Sequence, residues 1–271
     1  MIHFTHDIHI NETSSAQLIL YIQNDSQELA IRKRPLVLLC PGGGYSFTTD
    51  REAEAMALQY LSMGYHAAVL RYSCAPHRYP TALLELATSI LYIRQNADLW
   101  NVCSDKIVVE GCSAGGHLAA CLGVFWNKDF LADAINLNTE QKDLLKPNGL
   151  ILCYPVITSG PYAEKGSFEN LLGPSWREHC EELSLENQVS SDTPRTFIWH
   201  TYEDRIVPVE NSLLFVSALR KFNIPAEFHM YEKGGHGLAL ANHLTEAWNG
   251  NGTQEECSSW IPLVNTWLQN H

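Results

Sequence analysis

Short apolar runs alternate with longer stretches of helical periodicity along most of the chain. The apolar runs predict β-strands over residues 35–40, 66–72, 107–110, 150–154, 196–200 and 227–231. The helical pattern predicts helices over residues 50–63, about 81–95, from 113 onward, 209–222 and 258–269. Two earlier segments, around residues 8–10 and 17–23, are rich in β-formers and predict an antiparallel pair.

Strands that alternate with helices predict an α/β fold, with a mostly parallel central sheet and helices on both faces. No repeat, low-complexity tract or linker interrupts the pattern, so residues 1–271 are predicted to form a single domain. The stretch 158–187, between two predicted strands, is too long for a bare loop. Because it contains Phe168, Leu171, Leu172 and Trp176, it predicts a partly helical, cap-like insertion.

Composition narrows the possible partners and the cellular location. Asp and Glu outnumber Lys and Arg by 30 to 18, giving a formal charge of −12, which argues against nucleic acids and anionic membranes as partners. The N-terminal residues 1–7 lack a basic region followed by an apolar stretch, so no secretory signal is expected. The eight cysteines are interpreted as reduced thiols and no CxxC pair suggests a metal, so a cytoplasmic protein without a metal site is predicted.

The sequence GCSAG at residues 111–115 has the G-x-S-x-G pattern of a nucleophile elbow. It lies between a predicted buried strand and a predicted helix, which is the context such a sharp turn requires, so Ser113 is the candidate nucleophile. The alternative is a serine that only caps the helix. Cys112 is expected to pack away from the substrate, and His117, one helical turn below Ser113, is expected to have a structural role.

The sequence PGGGY at residues 41–45 directly follows a buried strand, where this architecture supplies backbone donors for an oxyanion. The predicted donors are the N–H of Ala114 and that of Gly43 or Gly44. Tyr45 is predicted to line the substrate pocket. A plain glycine-rich turn is the alternative, and a phosphate-binding loop is excluded because no G-K-[ST] follows.

A carboxylate and a histidine follow the nucleophile in the order Ser, Asp, His. Asp204 lies in the loop after the strand 196–200, although the adjacent Glu203 remains an alternative acid. His236 lies in the glycine-rich sequence GGHG, from which a side chain can reach across the sheet edge. Histidine, with an ordinary pKa of about 6.5, can take the serine proton and return it to a leaving group. His200, within a strand, is expected to be a core or supporting residue.

The chain resembles a group of α/β hydrolases, the small bacterial acetyl-esterase and acetyl-xylan-esterase-like members of the hormone-sensitive-lipase branch. Four segments carry this resemblance: PGGGY, GCSAGGH, DTPRTFIWHTYEDRIVP and GGHGL. The resemblance runs from about Pro35 to the C-terminus. It implies the α/β-hydrolase fold, a triad of Ser113, Asp204 and His236, oxyanion donors at Gly43 and Gly44, and acetyl esters as substrates. Pro41 replaces the histidine that usually precedes the glycines, and Glu85 stands where relatives often have Asp.

The sequence therefore predicts a serine carboxylesterase that hydrolyses short acyl esters, with acetylated sugars among the candidates, through an acyl-enzyme. Such an enzyme is expected to need no metal or organic cofactor. Its expected partner is a small-molecule ester, and the sequence leaves open whether it forms a homo-oligomer. Aromatic side chains in the insertion 158–187 would narrow the acyl pocket. Two alternatives are a peptidase or amidase of the same fold, and a non-catalytic binding protein, against which the complete Ser, Asp and His set argues.

Overall fold

A computed structural model describes residues 1–270 and contains one eight-stranded sheet with the strand order β1-β2-β4-β3-β5-β6-β7-β8. The strands are β1 (Ile2–Ile8), β2 (Ala16–Ile22), β3 (Arg34–Cys40), β4 (His66–Arg71), β5 (Val102–Cys112), β6 (Gly149–Cys153), β7 (Thr196–Thr201) and β8 (Ala226–Tyr231). The pairs β1–β2 and β2–β4 are antiparallel and all the other pairs are parallel. The predicted mostly parallel α/β architecture is confirmed.

Seven helices cover the two faces of this sheet within residues 1–270. They are α1 (Glu54–Ser62), α2 (Thr81–Gln95), α3 (Ala114–Phe125), α4 (Asp129–Ala134), α5 (Lys165–Leu172), α6 (Glu210–Lys221) and α7 (Trp260–Gln269). Successive side chains of a strand point to opposite faces, so Leu36 and Leu38 of β3 join one core cluster and Val37 joins the other. The first cluster includes residues of α2 to α6, and the second includes residues of α1 and α7.

Several predicted boundaries are corrected. The first strand ends at Ile8 instead of beginning there, because the side chains of Asn11 and Ser14 accept backbone N–H bonds and close a turn. β5 is eleven residues long and begins before the predicted strand 107–110. The predicted helix 50–63 is interrupted at Ala53, and its first turn, Asp50–Glu52, is a separate 3-10 turn. α4 was not predicted.

The insertion 158–187 contains α5 and three short 3-10 turns, Trp176–Glu178, Glu181–Leu183 and Leu185–Asn187. Phe168 and Trp176 are buried and stack on each other with ring centroids 5.6 Å apart. Both rings belong to the buried core. None of the helices within residues 1–270 has both the length and the apolar character needed to cross a bilayer.

Candidate active site

Ser113 occupies the sharp turn between β5 and α3. Its backbone has φ 54° and ψ −120°, a strained conformation for a residue with a side chain. The turn is held because the Ser113 N–H donates to the Cys153 carbonyl and the Ser113 carbonyl accepts from the Val156 N–H, both at 3.0 Å. The strain and these two bonds fit the nucleophile elbow that the GCSAG sequence predicted.

The structure brings Ser113, His236 and Asp204 together from three different loops. Ser113 Oγ lies 2.7 Å from His236 Nε2, and His236 Nδ1 lies 2.6 Å from Asp204 Oδ2. An ionised carboxylate can only accept, so Nδ1 carries the proton and Nε2 is free to accept one from the Ser113 hydroxyl. This geometry is that of a nucleophile, a general base and a carboxylate that orients the base.

Asp204 is fully enclosed by hydrogen-bond donors. Its Oδ1 accepts from the N–H groups of Ile206 (2.9 Å) and Val207 (3.0 Å), and its Oδ2 accepts from both His236 and His200 Nε2 (3.2 Å). Burial alone would raise the pKa of Asp204, but hydrogen bonds from His200 and His236 outweigh it and hold the pKa well below its ordinary value. Asp204 is therefore a stable anion that can fix the histidine tautomer.

Glu203, the alternative acid, and His117, the histidine on α3 nearest to Ser113 in sequence, both lie outside this hydrogen-bonded set. Glu203 is exposed, and its Oε2 accepts a long bond (3.4 Å) from the Gly234 N–H. His117 is buried, with Nε2 3.0 Å from the Leu183 carbonyl and Nδ1 2.9 Å from the Tyr45 hydroxyl. Burial lowers the pKa of His117 to about 4, which suits a neutral structural side chain. These contacts match the structural role expected for His117.

A cleft of about 420 Å³ opens beside Ser113. Besides Ser113 and His236, its wall includes Gly43, Gly44, Thr49, Arg51, Ser167 and Asn170. The prediction that Tyr45 lines this pocket is wrong. The Tyr45 side chain is only 2% exposed and packs under the cleft, where its hydroxyl bonds to His117.

The glycine loop after β3 leaves its donors free. The N–H groups of Gly43, Gly44 and Ala114 have no hydrogen-bond partner within residues 1–270. Gly43 (φ 134°) must be glycine, because a Cβ there would lie 2.1 Å from the Phe47 carbonyl oxygen. Asn170 Nδ2 donates to the Gly44 carbonyl at 2.8 Å and so ties the insertion to this loop. The loop thus offers N–H donors next to Ser113, where an oxyanion would form.

Glu52 lines the cleft although it is only 3% exposed, and no sequence pattern marks it. Its Oε2 accepts from the Gly42 N–H at 2.7 Å. In the sequence it belongs to the run Asp-Arg-Glu at the start of a helical pattern, which is typical of a solvated surface. No local signal separates Glu52 from its charged neighbours.

One cluster within residues 1–270 has the residue types and spacing of a metal site. Ligand atoms of Glu110, Cys112 and Cys153 lie within 4.8 Å of one another, and all three residues are buried. Burial raises the pKa of Cys153 to about 11 and that of Cys112 well above its ordinary value. Because metals bind the thiolate, these protonated thiols are better suited to packing between the strands.

Comparisons with known proteins give consistent results. The BD-FAE family model matches residues 20–219. The chain is 38% identical over 242 residues to endo-1,4-beta-xylanase B of Butyrivibrio fibrisolvens, covering 86% of this chain and 36% of that protein. It is 26% identical to the acetylxylan esterase of Xylanibacter ruminicola, covering 86% of this chain and 46% of that protein. The chain thus spans less than half the length of either relative.

Among solved structures, the chain resembles the acetyl ester-xyloside bifunctional hydrolase from Caldicellulosiruptor lactoaceticus. The TM-score is 0.81 at 32% sequence identity. The match covers 98% of this chain and 96% of that chain, so it includes both the sheet and the loops that carry the cleft.

Proposed function

This chain belongs to the BD-FAE family, and we propose that it is a serine carboxylesterase that hydrolyses short acyl esters, acetyl esters of sugars above all. The observation that carries the proposal is the pair of hydrogen bonds from Ser113 through His236 to Asp204. The names of two relatives, an acetylxylan esterase and an acetyl ester-xyloside hydrolase, support the choice of acyl group and of a sugar alcohol.

In the acylation half of the reaction, Ser113 Oγ attacks the ester carbonyl carbon while its proton moves to His236 Nε2. The carbonyl oxygen becomes an oxyanion that accepts from the N–H groups of Gly43, Gly44 and Ala114. Asp204 stabilises the imidazolium. The C–O bond to the alcohol then breaks, and the alcohol oxygen takes the proton from His236, which leaves an acyl-enzyme on Ser113.

In the second half, a water molecule gives its proton to His236 Nε2 as its oxygen attacks the acyl carbon. The same backbone donors bind the second oxyanion. Its collapse breaks the bond to Ser113 Oγ, which recovers the proton from His236, and the carboxylic acid leaves. These steps use only side chains and N–H groups of this chain, together with water.

The shape of the cleft supports a small acyl group and a polar alcohol. Behind Ser167, the side chains of Tyr45, Val156 and Phe168 close together and leave no space for a water molecule. A long acyl chain would therefore find no apolar tunnel there. The polar side chains of Arg51 and Asn170 in the cleft wall can donate to a hydroxyl-rich alcohol.

The proposal is tested by p-nitrophenyl acetate turnover of the wild type and of Ser113→Ala. We expect the substitution to lower kcat by about four orders of magnitude or more, because the nucleophile is lost. Unchanged far-UV circular dichroism would verify that the variant is folded. Equal turnover by the two proteins would overturn the serine mechanism.

The acyl preference is tested with p-nitrophenyl esters from acetate to octanoate. We expect kcat/KM to be highest for acetate and to fall with chain length, because no apolar tunnel extends behind Ser167. A preference for octanoate would contradict the assignment to short acyl esters while leaving the nucleophile unaffected.

A further inference from the structure

Glu52 is a buried carboxylate with two internal donors. Gly42 N–H donates to Oε2 and the Tyr154 hydroxyl donates to Oε1, both at 2.7 Å. Gly42 is the residue before the two oxyanion glycines. A Cβ on Gly42 would lie 2.7 Å from Glu52 Oε2 and 3.0 Å from Ser113 Cβ, so this backbone is packed between Glu52 and the nucleophile.

Tyr154 extends this contact to the histidine loop. Its hydroxyl accepts from the Ala239 N–H at 2.9 Å, three residues after His236, so its own proton is directed to Glu52. The Tyr154 ring is buried and lies edge-on to the His236 ring, with centroids 5.2 Å apart. The backbone of Tyr154 has φ 39°, a left-handed conformation that turns the side chain from the end of β6 under the site.

We propose that Glu52 and Tyr154 are a pair of positioning residues that hold the oxyanion loop and the His236 loop in one geometry. Glu52 fixes the peptide that precedes Gly43, and Tyr154 joins that carboxylate to the backbone beyond His236. Neither residue touches the reacting atoms. Both act through groups that do touch those atoms, the oxyanion N–H donors and His236. This inference therefore rests on the proposed serine esterase mechanism.

A carboxylate is the side chain that this position requires. Two donors, an N–H and an O–H, point at its two oxygens, and only a carboxylate offers an acceptor at both. Glutamine can keep one acceptor but must direct its NH₂ group at the other donor. Glu52→Gln should therefore retain one of the two bonds, whereas Glu52→Ala loses both and leaves buried donors without partners.

The test measures kcat and KM on p-nitrophenyl acetate for Glu52→Ala, Glu52→Gln and Tyr154→Phe. A misplaced oxyanion donor weakens the transition state more than substrate binding, so kcat should fall with KM little changed. We expect a loss in kcat of about 100-fold for Glu52→Ala and about tenfold for Tyr154→Phe, with Glu52→Gln between wild type and Glu52→Ala.

Each kcat is divided by the fraction of protein with a reactive Ser113, counted by end-point labelling with a fluorophosphonate and mass spectrometry. This separates a slower site from a smaller folded population. If Glu52→Ala does not fold, Glu52→Gln and Tyr154→Phe still test whether the two residues position the site. Both variants keep most of the buried side-chain volume, so both are expected to fold.

Glu85 provides a matched control. It is also buried, and its carboxylate also accepts one backbone N–H and one hydroxyl, from Ser73 at 2.7 and 2.6 Å, with no hydrogen bond to either catalytic loop among residues 1–270. Glu85→Gln should lower stability and leave kcat per labelled site unchanged.

The inference is overturned if the Glu52 and Tyr154 variants have the same kcat per labelled site as the wild type, or if Glu85→Gln loses as much kcat as they do. A wild type with no Ser113-dependent turnover would instead refute the proposed function, and the inference with it.

Discussion

Glu203 and Asp204 are adjacent in the chain, but only Asp204 lies inside the protein. The loop after β7 turns so that Asp204 is 5% exposed and accepts from two backbone N–H groups and two histidines. His200 Nε2 also lies 2.9 Å from the Val207 carbonyl, so this nitrogen carries a proton and donates to Asp204. His200, expected from the sequence to be a core or supporting residue, thus helps to hold the carboxylate of Asp204.

We predict that Asp204→Asn lowers kcat on p-nitrophenyl acetate by about 10⁴-fold, because an amide can donate to His236 and favour the wrong tautomer. Glu203→Gln is the matched control and should leave kcat unchanged, since within residues 1–270 the hydrogen bond of its carboxylate is a long one from the Gly234 N–H. Steady-state kinetics of the two variants checks this. A large loss in Glu203→Gln with an active Asp204→Asn would reverse the assignment of the acid.

At the scale of elements, the turn at Ser113 depends on how closely β3, β5 and α3 approach one another. A Cβ on Gly115, in the first turn of α3, would lie 2.0 Å from the Cys40 carbonyl oxygen at the end of β3. A Cβ on Gly111 would lie 2.1 Å from the Gly115 carbonyl oxygen. Both obstacles are backbone atoms, which cannot rotate away, so packing requires glycine at both positions.

We predict that Gly115→Ala destabilises the fold by more than about 2 kcal/mol or prevents folding, because α3 must move away from β3. Gly235→Ala is the control, since no atom lies within 4 Å of the added Cβ, and its effect should be within about 0.5 kcal/mol. Urea unfolding followed by tryptophan fluorescence measures both. Equal stability of the two variants would show that the elbow tolerates a wider separation.

The elements that could be predicted from the sequence are those whose signal is local. The strand, turn and helix around Ser113 are consecutive in the chain, so the single pattern GCSAG predicts both the sharp turn at Ser113 and the position of Ala114. The bond between Glu52 and Tyr154 joins residues 102 positions apart, and no local pattern reports it. Tyr45 was misplaced for a related reason, because its burial depends on His117 and the insertion, which pack on it only in the folded protein.

At the scale of the whole molecule, the sheet carries an acidic group in its interior. Glu110 of β5 is 1% exposed, and burial raises its pKa to about 8, although the side chains of Tyr60 and Cys153 oppose the shift. Glu52 also contributes to the rise. Below that pH the folded protein keeps a proton on Glu110, whereas the unfolded chain loses it above about pH 4.5.

Stability should therefore fall as pH rises from about 4.5 to about 8, because the folded state binds the extra proton over this range. One proton corresponds to a slope of at most about 1.4 kcal/mol per pH unit. His66 and His117 act in the opposite direction, since burial lowers the pKa of each from 6.5 to about 4. At pH 6.5 an unfolded histidine is still about half protonated, so both residues continue to oppose Glu110 above that pH, and the effect of Glu110 is isolated by comparison with a variant that lacks its charge.

We predict that, between pH 6.5 and 8, the free energy of unfolding of the wild type falls relative to that of Glu110→Gln by up to about 2 kcal/mol. Glutamine resembles the protonated acid in shape and cannot ionise, so the variant isolates the charge from the packing. Urea unfolding at several pH values measures both proteins under the same conditions. Parallel pH dependences would mean that Glu110 is ionised in the folded core, which would require a positive partner that its contacts with Tyr60, Cys153 and Glu52 do not supply.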